Sequence, residues 1–157
     1  MKNVISLIAV AASSLSGASQ GQAYVPDGVW QMSFYAPEGV HKLMFVIPDS
    51  AHAAVYLHCE PQSGSISLSY DAPDIDIRSY VPHVRTSSGE KLEQFEIKYS
   101  EPMGEYYVVY ELSPSAQFIL SLSNNDDLLI DNARYRVSDP YDGMVIREFA
   151  RSCGGRI

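Results

Sequence analysis

The chain has two cysteines, Cys59 in its first half and Cys153 four residues from its end. Two cysteines allow only one intramolecular pairing. Cys59 sits in Val55-Tyr56-Leu57-His58-Cys59, where positions 55, 57 and 59 fall on one side of an extended segment. A strand here turns Cys59 into a core and leaves Tyr56 and His58 on the other face. Cys153 closes a segment in which Ile146, Phe149 and Cys153 recur at helical spacing. A bond between the two ties a closing helix to an inner strand. By loop entropy such a ring is worth about 4–5 kcal/mol. The competing reading is a pair of inert buried thiols.

The bond requires an oxidising compartment. Residues 1–23 read as a secretory signal peptide: Lys2, a short apolar run over Val4–Ala12, and Gly21-Gln22-Ala23 as a cleavage site before Tyr24. The competing reading is an amphipathic or buried first helix. Residues 24–157 then form one exported domain, periplasmic or secreted. They contain no stretch long enough to span a membrane. Without Lys2, 10 Lys and Arg stand against 19 Asp and Glu, a net charge of −9. That balance argues against nucleic acid and anionic lipid as partners.

Alternating apolar residues mark several strands. Trp30, Met32 and Phe34 read as the buried face of the first. Leu43–Ile47 is apolar on both sides and reads as interior. After the Cys59 strand, Pro61–Gly64 turns the chain into Ser65–Tyr70, with Ile66, Leu68 and Tyr70 inward. Tyr80–Thr86 reads as an edge or bulged strand because Pro82 cannot donate to a ladder. Phe95, Ile97 and Tyr99 alternate in a half-exposed strand, and Tyr106–Leu112 reads as central.

The period then changes. Ser113 and Pro114 are placed as N-cap and first residue of a short helix carrying Ala116, Phe118, Ile119 and Leu122. A strand over Gln117–Leu122 competes with it. Leu128–Ile130 and Ala133–Val137 follow as a two-stranded ribbon, with Arg134 and Arg136 outward. Asp139–Asp142 opens a last helix over about Gly143–Ser152, ended by Gly154 and Gly155. The expected fold is α+β: mainly antiparallel sheet or sandwich, a short late helix, and a C-terminal helix tied to the sheet by the disulfide.

These parts have a particular order: Leu57-His58-Cys59 on an inner strand, Val84-Arg85 before Gly89, Ser113–Leu122 leading into Leu128-Leu129-Ile130, Tyr135-Arg136-Val137, and Gly143–Phe149 ending in Ser152-Cys153. Over residues 55–153 this layout resembles the VasI-like exported accessory proteins associated with type VI secretion. The resemblance implies export, a domain bracketed by its two cysteines, and a non-enzymatic role beside a secretion system.

No catalytic motif stands out. His41, His52, His58 and His83 show no metal-ligand spacing. Asp71, Asp74 and Asp76 form an acidic knot that lacks the further ligands of a calcium loop and reads as a solvated turn. Serines occur without a Gly-x-Ser-x-Gly elbow. Glu96 and Glu111 read as solubilising charges on outer strand faces rather than as a glycosidase pair. No cofactor or metal is expected.

Tyrosines at Tyr35, Tyr56, Tyr80, Tyr107 and Tyr110 divide between core use and a recognition surface. Tyr56 and Tyr107 are the candidates for partner binding. Arg134 and Arg136 are candidates for binding an acidic partner, in competition with salt bridges to the Glu-rich segment 90–111. The expected function is a non-catalytic binding or accessory module whose partner is a protein or a cell-envelope glycan. An inhibitor or immunity protein acting on an envelope-directed hydrolase is the alternative, and a small hydrolase the third.

Overall fold

A computed structural model describes residues 23–50, 53–138 and 140–157. The signal-peptide expectation falls on residues outside that set, apart from Ala23, as do His52 and Asp139. Ten strands and two helices lie among the described residues.

Six strands build the larger sheet: β1 (Val29–Tyr35), β2 (Val40–Val46), β3 (Ala53–Cys59), β4 (Ile66–Asp71), β7 (Glu96–Ser100) and β8 (Glu105–Leu112). Their order is β1-β2-β3-β4-β8-β7, antiparallel throughout. Hairpins explain β1 to β4 and the β7–β8 pair, where each alternation ends at a turn and the next strand folds back beside it, while β8 joins β4 across a long intervening segment and leaves β7 at the edge. One face of the sheet is dry. Leu43 opposes Leu57, which opposes Leu68, which opposes Tyr110, and all four are buried. Each fully buried aliphatic contributes about 1.5–3 kcal/mol.

The smaller sheet contains β5 (Val84–Thr86), β6 (Lys91–Leu92), β9 (Leu128–Ile130) and β10 (Ala133–Tyr135), in the order β10-β9-β5-β6. Two sequence expectations change here. The Tyr80–Thr86 strand forms only after Pro82, and β5 is interior rather than an edge: once past the proline, every N–H can enter a ladder. The expected two-stranded ribbon is half of a four-stranded sheet. Lead-in residue Tyr24 also bridges to Ala133.

Helix α1 (Gln117–Ser123) confirms helix over the competing strand, but it starts later than expected. Ala116 is the N-cap, and Ser113 instead closes a local turn. Its hydroxyl accepts the Ser115 N–H at 3.3 Å and its carbonyl accepts the Ala116 N–H at 2.9 Å. Pro114 lies in that turn, whose side-chain bond competes with a cap. Helix α2 (Tyr141–Ser152) starts two residues earlier than expected. Its buried Ile146, Phe149 and Ala150 pack toward β1, β2 and α1.

The disulfide forms between Cys59 of β3 and Cys153 at the end of α2, with Cα atoms 5.8 Å apart. Backbone bonds flank it: Gln62 donates to the Ser152 carbonyl and Gly64 to that of Cys153. Where α2 meets the end of α1, a Cβ at Gly143 would overlap the Asn125 side chain and come within 3.0 Å of the Ser123 carbonyl. Glycine is therefore what permits the approach.

Other expectations change at the sheet margins. Phe34 points to the dry face but is exposed, because it stands at the open end of edge strand β1. Tyr99 on the opposite edge strand, β7, is exposed for the same reason.

Candidate functional site

The dry face of the large sheet is covered by α2 and the smaller sheet. The opposite face carries no layer of described residues, and its side chains fall into rows across the strands. One row runs Lys42, His58, Ser67, Glu111; the next runs Met44, Tyr56, Ser69, Val109. In both rows the residue on β4 is a serine, with Ser65 continuing the line just before the strand. An interior strand lined with small side chains, between neighbours bearing large ones, makes a trough along β4. Tyr56 and His58 form one wall, Tyr107 and Glu111 the other. Its two parts enclose about 620 Å³ and 420 Å³ and meet at Tyr56 and Ser69.

The polar groups of the trough are partly organised. Ser65 donates to a Glu111 carboxylate oxygen at 2.8 Å. Lys42 lies 3.6 Å from Glu38 and 4.8 Å from the centre of the Tyr35 ring. Partial burial lowers the His58 pKa from its ordinary value, against the opposing pull of Glu111. The imidazole is then neutral at pH 7, with one nitrogen to donate and one to accept.

Ser67 and His58 are cross-strand neighbours, the closest approach here to a nucleophile and base. The row places Ser67 between His58 and Glu111. A relay of the serine-hydrolase type needs the imidazole between hydroxyl and carboxylate. No hydrogen bond joins Ser67 to His58 among the described residues.

The four candidate binding residues separate. Tyr56 and Tyr107 both line the trough. Arg134 lies on β10 of the other sheet, while Arg136 stands just past the end of that strand, so the two share no strand. Arg134 pairs with Asp127 rather than with the Glu-rich segment: its Nε and an η nitrogen each lie 2.6 Å from one Asp127 oxygen. The other oxygen accepts the Val137 N–H at 2.8 Å. Asp127 is buried, so proximity and desolvation bring the guanidinium to it in preference to exposed glutamates. The backbone carbonyl of Arg136 accepts the Trp30 indole N–H at 2.9 Å, joining the two sheets.

The acidic knot also separates. Asp71 ends β4 at the trough margin, and Asp76 caps the Arg78 N–H at 3.1 Å. Among the described residues, no three His, Cys, Asp or Glu converge as metal ligands. Glu96 lies across from Val109 and pairs with Lys98 at 3.1 Å, not with Glu111.

The sequence reading missed a tyrosine chain at the seam of the sheets. Tyr70 lies 3.3 Å from the Tyr80 hydroxyl, which donates to Asp131 at 2.5 Å. Burial raises the pKa of both tyrosines, and pushes that of neighbouring Tyr110 up to about 12. The Tyr70 and Tyr80 hydroxyls stay protonated donors and pin the β9–β10 turn to β4, while the buried Tyr110 hydroxyl has no hydrogen-bond partner among the described residues. The only local signal was Asp131 in an Asp-Asn turn; its side-chain partners, the His83 N–H and the Tyr80 hydroxyl, are 48 and 51 positions away.

No family model, curated protein or solved structure matches the chain.

Proposed function

We propose that this protein is a non-catalytic binding module of the periplasm or the extracellular space, and that the β4 trough holds its partner. The observation that carries this reading is the serine floor between Tyr56 and Tyr107 on a sheet face that no layer of the described residues covers. A trough one side chain wide and several strand residues long suits an extended polymer.

The favoured partner class is a neutral envelope glycan. Sugar rings present apolar C–H faces that stack on tyrosine and hydroxyls that exchange hydrogen bonds with serine, carboxylate and neutral imidazole. Glu38, Glu60 and Glu111 at one end, and Asp71 and Glu105 at the other, disfavour anionic polymers. The Cys59–Cys153 bond fits an oxidising compartment. The likeness to VasI-like proteins adds a place beside a type VI secretion apparatus as the biological setting. The same acidic rim supports the second reading, an inhibitor or immunity protein seated on a basic enzyme cleft.

The test is binding of N-acetylglucosamine oligomers by calorimetry. Tyr56→Ala and Tyr107→Ala should each weaken binding at least tenfold. Saturable binding unaffected by both substitutions, or no binding, refutes the glycan reading. In that case inhibition of an envelope hydrolase, lost on Glu111→Lys, would support the second.

A further inference from the structure

The two outer strands of the large sheet differ. Edge strand β7 carries the Lys98–Glu96 ion pair, a charge pattern that discourages strand addition. Edge strand β1, Val-Trp-Gln-Met-Ser-Phe-Tyr, has no charge, no proline and no bulge against β2 over all seven residues. Among the described residues no strand pairs with its free side. A slot of about 690 Å³ runs along that side between β1 and α2. Two large exposed side chains line it, Phe34 at 53% and Tyr141 at 69%, with Val145, Asp142 and Glu148 beside them on α2.

We propose that the free edge of β1 pairs with the β1 of a second copy of this chain, in an antiparallel two-fold dimer. Three features favour a second copy. First, the strand is self-complementary. Antiparallel pairing centred on Met32 sets Trp30 across from Phe34, Val29 across from Tyr35 and Gln31 across from Ser33, so every pair is apolar or hydrogen-bonding. Second, the chain carries a net charge of −8, and β1 itself is uncharged, the acidic residues of the slot, Asp142 and Glu148, standing on α2 and not on the strand. Third, the two-fold axis places both α2 helices on the same face, with the exposed Tyr141 of each beside the joined strands. The dimer joins two six-stranded sheets into one and leaves the β4 trough of each copy open, because the two surfaces share no residue.

Sedimentation equilibrium tests this directly. The wild-type protein should have twice the chain mass. Gln31→Lys with Ser33→Lys, and separately Gln31→Glu with Ser33→Glu, should be folded monomers, because each sets like charges in opposition across the axis. Mixing the two variants should restore a dimer. In the wild type, hydrogen exchange at β1 amides should slow as concentration rises. A wild-type monomer at about 100 μM, far above the Kd of a specific interface, overturns the proposal. So does a wild-type dimer whose β1 amides gain no protection, or a lysine variant that stays dimeric.

Discussion

Arg134 reaches Asp127 with two nitrogens, both 2.6 Å from the same carboxylate oxygen, while the second oxygen takes the Val137 N–H. Asp127 is buried and the Arg134 side chain is about half exposed. The two partners therefore have unequal consequences when removed. Asp127→Ala leaves a buried N–H and a guanidinium without partners and should cost about 2–4 kcal/mol. Arg134→Ala leaves a carboxylate that still accepts from the backbone and can recruit water, and should cost about 1–2 kcal/mol. Urea unfolding of both variants checks the order. Equal losses would mean that the ion pair, and not the backbone bond, sets the stability of this corner.

The second prediction concerns the bond between Cys59 and Cys153. Both sulfurs are buried, and the closed ring spans 94 positions. Replacing both cysteines by alanine should cost about 2–5 kcal/mol, chiefly through the entropy regained by the unfolded chain. Thermal unfolding with and without reductant measures it. A protein equally stable when reduced would show that α2 holds its place by packing alone.

Gly143 supplies the third. An alanine there meets the Asn125 side chain and the Ser123 carbonyl. Gly143→Ala should therefore destabilise by about 1–3 kcal/mol, although alanine is the better helix former by about 1 kcal/mol. A stabilised variant would show that the α1–α2 contact is looser than described.

His58 gives a pH prediction with a definite sign. Its folded pKa lies below the unfolded value of 6.5, chiefly because the trough removes water from the ring. In the window between the two values the unfolded chain binds more protons, so stability rises with pH there. The His58 contribution is complete above the unfolded pKa and falls away as pH drops toward the folded one. His58→Gln should flatten this part of the stability–pH curve. A curve unchanged by the substitution would contradict the assignment.

Most of the fold was legible in the sequence wherever a period of two or 3.6 ran uninterrupted. Ile66, Leu68 and Tyr70 marked β4, and Ile146 and Phe149 marked α2, because each buries one face only. Local competition defeated the reading at Ser113, whose hydroxyl serves a turn instead of a cap. Length defeated it at β6, where two residues carry no period. The site was half legible. Alternation alone showed that Tyr56 and His58 leave the core. That Tyr107 lines the same trough depends on β8 sitting beside β4, a pairing between segments far apart in the chain. Arg134 was misassigned for the same reason in reverse: its true partner, Asp127, is seven positions away across the β9–β10 hairpin.

We propose the β4 trough as the recognition surface for a glycan chain. Its most direct measurement is an NMR titration of the isotope-labelled protein with N-acetylglucosamine oligomers. The account predicts saturable shifts at the amides of Ser65, Ser67 and Ser69 and at the Tyr56 and Tyr107 rings, with β5, β9 and β10 unmoved. A titration that leaves those five residues unshifted at millimolar sugar, a range where weak binding with Kd of about 1 mM would be seen, would contradict it.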